Sequence, residues 1–137
     1  MVIDASVWVS RLVPQDTNHL ATRHWLERHI RGGNLTASPT LALAEVAGAV
    51  ARRTARARLG TRAVSSLLAL PGLRLIAVDR RLSVTAARLA AELALRGADA
   101  VYVAAALDLG VPLVSWDVEQ RERGRRVVRV RTPDEVE

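Results

Sequence analysis

Short apolar runs rich in β-branched residues alternate along this chain with longer segments in which apolar residues recur every three or four positions. The short runs predict β-strands, and the longer segments predict amphipathic helices. Strands are predicted at residues 1–4, 34–38, 73–79, 111–117 and 126–132. Helices are predicted at residues 17–33, 39–53, 61–70, 81–97 and 99–110, with a further helix-like run from Ser6. The pattern therefore predicts strands and helices in alternation over the whole length.

This alternation also predicts the fold class. Strands separated by helices imply right-handed crossovers and a parallel sheet that is covered on both faces. The strand runs are almost continuously apolar, which is typical of strands buried on both sides. We therefore predict an α/β fold, a three-layer α/β/α domain with a central, mainly parallel five-stranded sheet. No repeat, linker or break in composition divides the chain, so residues 1–137 are predicted to form a single domain.

Composition narrows the class of protein. Half of the residues are hydrophobic, which argues against disorder, and no apolar run approaches the roughly 20 residues that span a bilayer. The N-terminus lacks the layout of a signal peptide, since Asp4 interrupts it at once. The chain contains no cysteine, which excludes disulfides and thiolate zinc sites. We expect a soluble, cytoplasmic protein with no membrane partner.

The charge of the chain is strongly basic. The formal net charge is +6, and all 20 basic residues are arginine. Arginine binds phosphate through a planar, bidentate fork, so the charge favours a nucleic-acid partner. The base composition of the genome is an equally simple explanation of an alanine- and arginine-rich chain without lysine. Charge alone leaves both explanations open.

Acidic residues stand at the ends of three predicted strands. Asp4 follows the first strand, Asp79 the third and Asp117 the fourth. In open parallel α/β sheets, ligands bind at the carboxyl ends of the strands, near the point where the strand order reverses. Each residue also has a structural explanation, because aspartate is common in turns and as a helix N-cap.

Two further acids lie within predicted helices. Glu45 is the one charged residue between Thr40 and Arg52, so its helix offers little other polar surface. A buried carboxylate without a partner costs several kcal/mol, and Glu45 is therefore expected to have a cation or a proton donor beside it, unless an alanine-lined stripe leaves it exposed. Asp99 opens the apolar run that follows Gly97 and Ala98, where it is also well placed as an N-cap.

Taken together, the acids predict a metal site. Clustered carboxylates repel one another unless a cation neutralises them, and magnesium is bound by a few carboxylates with water and substrate phosphates. Such a site activates water and stabilises the leaving oxygen in phosphodiester cleavage. An acidic pocket framed by arginines is the charge layout of a nuclease.

Other kinds of site are excluded by their motifs. The three histidines are five residues apart, which turns successive rings by about 140° around a helix, so they share no face for a metal. The chain has no glycine-rich phosphate loop of the P-loop or dinucleotide type.

The order of the acids resembles that of the PIN-domain ribonucleases. The shared features are an Asp that ends the first strand, an acid early in a helix after the second strand, an Asp that opens a later helix, and an Asp that ends the fourth strand. The segment "GADAVYVAAALDLGVPLVSWD" combines the last two acids in order, and the "MVIDAS" start looks most like the VapC toxins of bacterial toxin–antitoxin pairs. The resemblance covers essentially the whole chain and implies a PIN-like fold with the first and fourth strands side by side.

The resemblance also implies the roles of particular residues. Asp4 and Asp99 match the main magnesium ligands, and Glu45 and Asp117 complete the acidic set, partly through water. Ser6 matches the small hydroxyl residue that orients the site after the first acid.

Three other residues complete the comparison with this family. Asp79 does not belong to the acidic set of the family. Ser115 stands where the family often has threonine, so a hydroxyl is retained. Trp116 could stack on a base, although a strand tryptophan more often packs.

Two functional hypotheses follow. The resemblance implies a magnesium-dependent endoribonuclease, with manganese as the alternative metal, in which metal-activated water cleaves RNA. It also implies a homodimer and a cognate antitoxin whose C-terminal segment covers the acidic pocket. The alternative is a non-catalytic basic domain of the same fold that binds RNA or protein.

Overall fold

A five-stranded sheet forms the centre of the computed structural model, which describes residues 1–136. Its strands are β1 (Val2–Ile3), β2 (Thr36–Pro39), β3 (Leu73–Ile76), β4 (Leu113–Val114) and β5 (Val130–Arg131). Their order is β3-β2-β1-β4-β5, and every neighbouring pair is parallel. All five predicted strands are confirmed, but each is shorter than its apolar run, because hydrogen-bonded partners lie beside only part of the run.

Seven α-helices and one short 3-10 helix connect and follow these strands. They are α1 (Ala5–Leu12), α2 (His19–Arg31), α3 (Leu41–Thr54), α4 (Ala57–Leu68), α5 (Arg80–Leu93), α6 (Gly97–Leu109), α7 (Val118–Gly124) and the 3-10 helix at Pro133–Glu135. Helix α1 packs on α2 and α3, and α3 packs on α4, whereas α6 packs on α5 and α7. With right-handed crossovers, α1–α4 cover one face of the sheet and α5–α7 the other. The predicted three-layer α/β/α architecture is therefore confirmed.

Several predicted helix boundaries are wrong. Helix α5 ends at Leu93 rather than at residue 97, because Ala94 adopts a left-handed conformation with φ 53° and stops it. Helix α6 then begins at Gly97 with Arg96 as its N-cap residue, so Asp99 lies in the first turn and is not the N-cap. Helix α4 begins four residues earlier than predicted, and α7 was not predicted from the pattern.

The strands β1 and β4 lie at the middle of the sheet and of the core. All four of their residues are fully buried. Helix α6 crosses β1, β2 and β4, and its residues from Tyr102 to Ala106 are at most 1% exposed. No helix in residues 1–136 is both long enough and apolar enough to cross a membrane.

The strand order reverses between β1 and β4. From β1 the chain moves outward to β2 and β3, then returns across the sheet to β4 on the other side of β1. Connections that leave the carboxyl ends of β1 and β4 therefore pass to opposite faces, which opens a crevice at that edge. Asp4 directly follows β1, and Asp117 lies three residues after the end of β4, so both are placed at this crevice.

Candidate active site

The carboxyl edge of the sheet brings four acidic side chains together. Asp4 comes from the end of β1, Asp117 from the start of α7, Glu45 from α3 and Asp99 from the first turn of α6. Burial raises the pKa of Glu45, and the nearby charges of Asp4 and Asp99 raise it further. Burial also raises the pKa of Asp99, with Asp117 and Asp4 adding to the effect. The four carboxylates are thus close enough to repel one another.

Asp4 is held by neutral donors in a buried position. Its side chain is the N-cap of α1, where Oδ2 accepts a hydrogen bond from the Ser6 N–H at 2.9 Å. Oδ2 also accepts from the Ser115 hydroxyl at 3.2 Å, and Oδ1 accepts from the Gln120 amide at 3.3 Å. The residue is 5% exposed, and its burial raises the pKa of the carboxyl despite these hydrogen bonds. Asp4 therefore caps α1 while its carboxyl lies at the acidic edge of the sheet.

Glu45 has a single hydrogen-bond partner on the facing helix. The Tyr102 hydroxyl of α6 donates to Glu45 Oε2 at 2.6 Å, and Tyr102 itself is 1% exposed. Burial raises the pKa of the Tyr102 hydroxyl, as do the negative charges of Asp4 and Glu45, so this hydroxyl remains a proton donor. The proton-donating partner expected for Glu45 is therefore Tyr102.

Asp99 and Asp117 share one cation. Arg96 Nε donates to Asp99 Oδ2 at 2.8 Å, and Arg96 Nη2 donates to Asp117 Oδ2 at 2.9 Å. The Arg96 side chain is 64% exposed, whereas those of Asp99 and Asp117 are 14% and 29% exposed. The other oxygen of Asp117 caps α7 by accepting from the Gln120 N–H at 2.7 Å. One guanidinium thus pairs with two acids of the set.

Two serines connect the first strand to the fourth. Ser6 Oγ accepts from the Trp116 N–H at 3.0 Å and lies 3.4 Å from Ser115 Oγ. Ser115 Oγ in turn accepts from the Asp117 N–H at 3.0 Å. The Trp116 indole N–H donates to Thr22 on α2 at 2.8 Å, and this hydrogen bond anchors the ring within the fold. These contacts fix the relative position of the chain segments that carry Asp4 and Asp117.

Gln120 lies beneath the acids and is fully buried. Its amide Nε2 donates to Asp4 Oδ1 and, at 3.4 Å, to the backbone carbonyl of Asp99. Its Oε1 atom has no hydrogen-bond partner within residues 1–136. A buried amide oxygen without a partner is unusual, and this one belongs to the amide that donates to Asp4.

Sequence reasoning missed three of these site residues, Arg96, Tyr102 and Gln120. Arg96 lies three residues before Asp99, and Tyr102 lies three residues after it. Gln120 lies three residues after Asp117. Side chains three apart on a helix are neighbours, so this spacing was the signal that could have found them.

The donors at this edge suit a hard divalent cation. Carboxylate and amide oxygens are what magnesium prefers, and the site offers four carboxylates and the free Gln120 oxygen. As the side chains stand, no three acidic or histidine residues within the described chain are arranged to hold one metal ion. The Arg96 contacts engage one oxygen of Asp99 and one oxygen of Asp117.

A groove leads away from the acids along α3. It has a volume of about 430 Å³, and its lining includes Ser6, Glu45, Arg52 and Arg53. Several other arginines are engaged within the chain: Arg121 donates to the Trp116 carbonyl at 2.9 Å and Arg131 donates to the Glu135 carbonyl. Arg52 and Arg53 lie beside Glu45 in this groove, where Arg53 is also paired with Asp16.

These features place a set of acids at the switch point of an all-parallel α/β sheet. The sequence model of the PIN domain family matches residues 1–125, and the chain belongs to this family. The fold and family predictions are thereby confirmed. No curated protein sequence matches the chain.

Solved structures with this fold include bacterial toxins. VapC20 of Mycobacterium tuberculosis, a toxin that cleaves the sarcin–ricin loop, is 19% identical with a TM-score of 0.74, covering 90% of this chain and 94% of that one. VapBC2 from Rickettsia felis, bound to a DNA fragment from its promoter, is 14% identical with a TM-score of 0.71 and 96% coverage of both chains. A toxin–antitoxin complex from Klebsiella pneumoniae is 16% identical with a TM-score of 0.62 and the same coverage. At these identities the likeness establishes the fold.

Proposed function

We propose that this chain is a magnesium-dependent endoribonuclease and the toxin of a toxin–antitoxin pair. The observation that carries the proposal is the gathering of Asp4, Glu45, Asp99 and Asp117 at the switch point of a PIN-family sheet. The likeness to a toxin that cleaves the sarcin–ricin loop supports RNA as the substrate class. Manganese is the alternative metal.

The proposed site divides its work among the acids and their partners. Asp4 and Asp99 are the proposed main metal ligands, and Glu45 and Asp117 complete the set, partly through water. A bound divalent cation supplies a water of lowered pKa and stabilises charge on the leaving oxygen of the phosphodiester. The chain's own contribution is orientation: the Asp4 carboxylate is fixed by its three donors and the Glu45 carboxylate by the Tyr102 hydroxyl.

The proposed substrate path is the groove along α3. Arg52 and Arg53 line it beside Glu45, and Arg53 also forms an ion pair with Asp16. Arginines in a groove bind phosphates without reading the base sequence, so they would position RNA over the acids. RNA binding should then weaken steeply as salt concentration rises.

The proposal extends to partners and location. A toxin of this kind requires a cognate antitoxin, and the likeness to a toxin–antitoxin complex supports one here. We propose that the antitoxin's C-terminal segment covers the acidic pocket and that the toxin acts as a homodimer in the cytoplasm. Size-exclusion chromatography with light scattering would test the dimer, which a monomer at tens of micromolar would contradict.

The decisive experiment is cleavage of a total-RNA pool by the purified protein without antitoxin. Magnesium, manganese and a chelator are compared for the wild type and for Asp4→Asn and Asp99→Asn. Asp108→Asn is the matched control, because Asp108 pairs with Arg81 on α5 and lies outside the acidic set. Metal-dependent cleavage that both site variants lose and the control keeps is the expected result.

A non-catalytic RNA-binding domain is the second candidate function. It is favoured by the arrangement of the side chains, in which no three described acids are placed to hold one metal ion, and by the net charge of +6. This candidate predicts tight RNA binding that is independent of metal, with no cleavage of any RNA. That outcome would overturn the nuclease proposal.

A further inference from the structure

Arg96 bridges two acids of the proposed metal site. Its guanidinium binds Oδ2 of Asp99 at 2.8 Å and Oδ2 of Asp117 at 2.9 Å, with one nitrogen on each acid. These two acids come from different elements, α6 and α7, and Arg96 is 21 residues from Asp117. The contact is therefore a tertiary bridge across the proposed site.

This bridge differs from the ion pairs that lie within one helix. Arg23 with Glu27 and Arg88 with Glu92 are pairs one helical turn apart on an exposed surface. Pairs of that kind contribute little to stability and have no second partner to hold. Arg96 instead pairs with two acids that are each less than one-third exposed and that repel one another.

The arginine is also free to leave. Its side chain is 64% exposed, so moving it into solvent exposes little additional surface. Asp4 and Glu45 are held by buried neutral donors and do not depend on Arg96 for a hydrogen bond. Removal of the guanidinium would therefore free oxygens of Asp99 and Asp117 while the other half of the site stays in place.

We propose that Arg96 is an in-chain competitor of the metal: it holds Asp99 and Asp117 in the metal-free protein and is displaced when a divalent cation binds. Two cations that require the same carboxylate oxygens exclude one another, so each lowers the apparent affinity of the other. Arg96 thus stabilises the metal-free protein and sets the metal concentration at which the site fills. This inference rests on the proposed function of the acids as metal ligands.

Calorimetric titration of the protein with magnesium, without RNA, tests the competition directly. Arg96→Gln should bind magnesium about two- to threefold more tightly, because the exposed ion pair that the metal displaces contributes little. Arg96→Lys should lie between the two, because an ammonium keeps the charge but loses the fork that reaches both acids.

Arg81→Gln is the matched control for the loss of one positive charge. Arg81 pairs with Asp108 at 2.5 and 2.6 Å and is exposed. Asp108 lies nine residues along α6 from Asp99, about 13 Å by the helical rise, which exceeds the screening length at physiological salt. Replacing Arg81 by Gln should therefore leave the magnesium affinity unchanged.

Thermal unfolding gives a second readout that does not require activity. Without metal, Arg96→Gln should melt below the wild type, since Asp99 and Asp117 have lost their counter-ion. With saturating magnesium the difference should disappear, because the metal replaces the guanidinium in both proteins. A difference that persists in magnesium would assign Arg96 a purely structural role.

The outcomes separate this inference from the proposed function. In one outcome the wild type binds magnesium, Asp99→Asn does not, and Arg96→Gln binds it no more tightly than the wild type. That result would overturn the competition but keep the metal site. Binding that appears only in Arg96→Gln supports the competition in its strongest form. An absence of binding in both proteins overturns the metal site and the competition together.

Discussion

The two halves of the acidic edge stabilise their charges by different means. Asp4 and Glu45 lie among neutral hydroxyl, amide and backbone N–H donors, and Asp4 is almost completely buried. Asp99 and Asp117 are more accessible than Asp4 and face the guanidinium of Arg96. One half thus depends on hydrogen bonds from neutral groups, and the other on an exposed cation.

The two halves therefore differ in how easily their contacts are replaced, and we call Asp4 and Glu45 the fixed half and Asp99 and Asp117 the exchangeable half. Buried hydrogen bonds are costly to break, since each leaves a desolvated group without a partner, so they fix Asp4 and Glu45 whether or not a metal is present. An exposed ion pair contributes little and is readily replaced. The fixed half would set where a metal binds, and the exchangeable half would set how tightly.

The largest expected effect comes from breaking the link between the halves at Gln120. Gln120→Leu removes the amide that binds Asp4 Oδ1 and the Asp99 carbonyl. Removing a residue that orients a metal ligand typically lowers metal affinity or activity by about 10- to 100-fold. We therefore expect Gln120→Leu to lose magnesium affinity by about that factor, as measured by calorimetry.

The fold of this variant should survive, because leucine fills the buried site and removes an oxygen that has no described partner. Ser10→Ala serves as the control, since Ser10 is a buried hydroxyl that pairs with Thr22 away from the acids. Unchanged magnesium affinity in Gln120→Leu would mean that Asp4 needs no support from α7.

The next effect in size is on stability and concerns the serine that joins β4 to both acids. Ser115→Ala removes the hydroxyl bound to Asp4 and leaves the Asp117 N–H without its acceptor. A loss of about 1–2 kcal/mol in the free energy of unfolding is expected, because these groups are buried. Urea denaturation of Ser115→Ala and of Ser115→Thr, which keeps the hydroxyl, would measure it. An equal loss in both variants would assign the effect to packing.

Much of the fixed half could be predicted from the sequence, because its signals are local. Asp4 follows two fully buried β-branched residues, so its place at the end of a central strand could be read directly. Glu45 was identified because it interrupts an otherwise apolar segment. The fold followed from alternating strand and helix patterns.

The exchangeable half could not be predicted in the same way. Helix α7, "VEQRERG", has no periodic apolar face, and its burial depends on close approach at Gly124, where a Cβ would lie 3.2 Å from a Val103 methyl carbon. The contact of Arg96 with Asp117 joins residues 21 apart through the fold, so no local pattern encodes it, whereas its contact with Asp99 spans only three residues. The positions of the acids were predictable, whereas the contacts that their partners make across the fold were not.

A smaller effect is expected at the hydroxyl that holds Glu45. Tyr102→Phe removes the 2.6 Å hydrogen bond and should lower the free energy of unfolding by about 1 kcal/mol, since Glu45 is half-buried and can regain some hydration. A double-mutant cycle with Glu45→Gln, followed by urea denaturation, would isolate the pair. A coupling energy near zero would contradict the role of Tyr102 as the partner of Glu45.

The smallest effect on stability is expected at Arg96, and its dependence on salt concentration distinguishes the two halves. In metal-free, low-salt buffer, Arg96→Gln should be less stable by about 0.5 kcal/mol, because the cation is largely exposed to water. At about 1 M NaCl the screening length falls to roughly 3 Å, and the difference should vanish. The loss in Tyr102→Phe should persist at the same salt, because a buried hydrogen bond is screened much less. Urea denaturation of both variants at the two salt concentrations would test this prediction. If the loss of stability in Arg96→Gln persisted at high salt, the two halves would not differ in how their charges are stabilised.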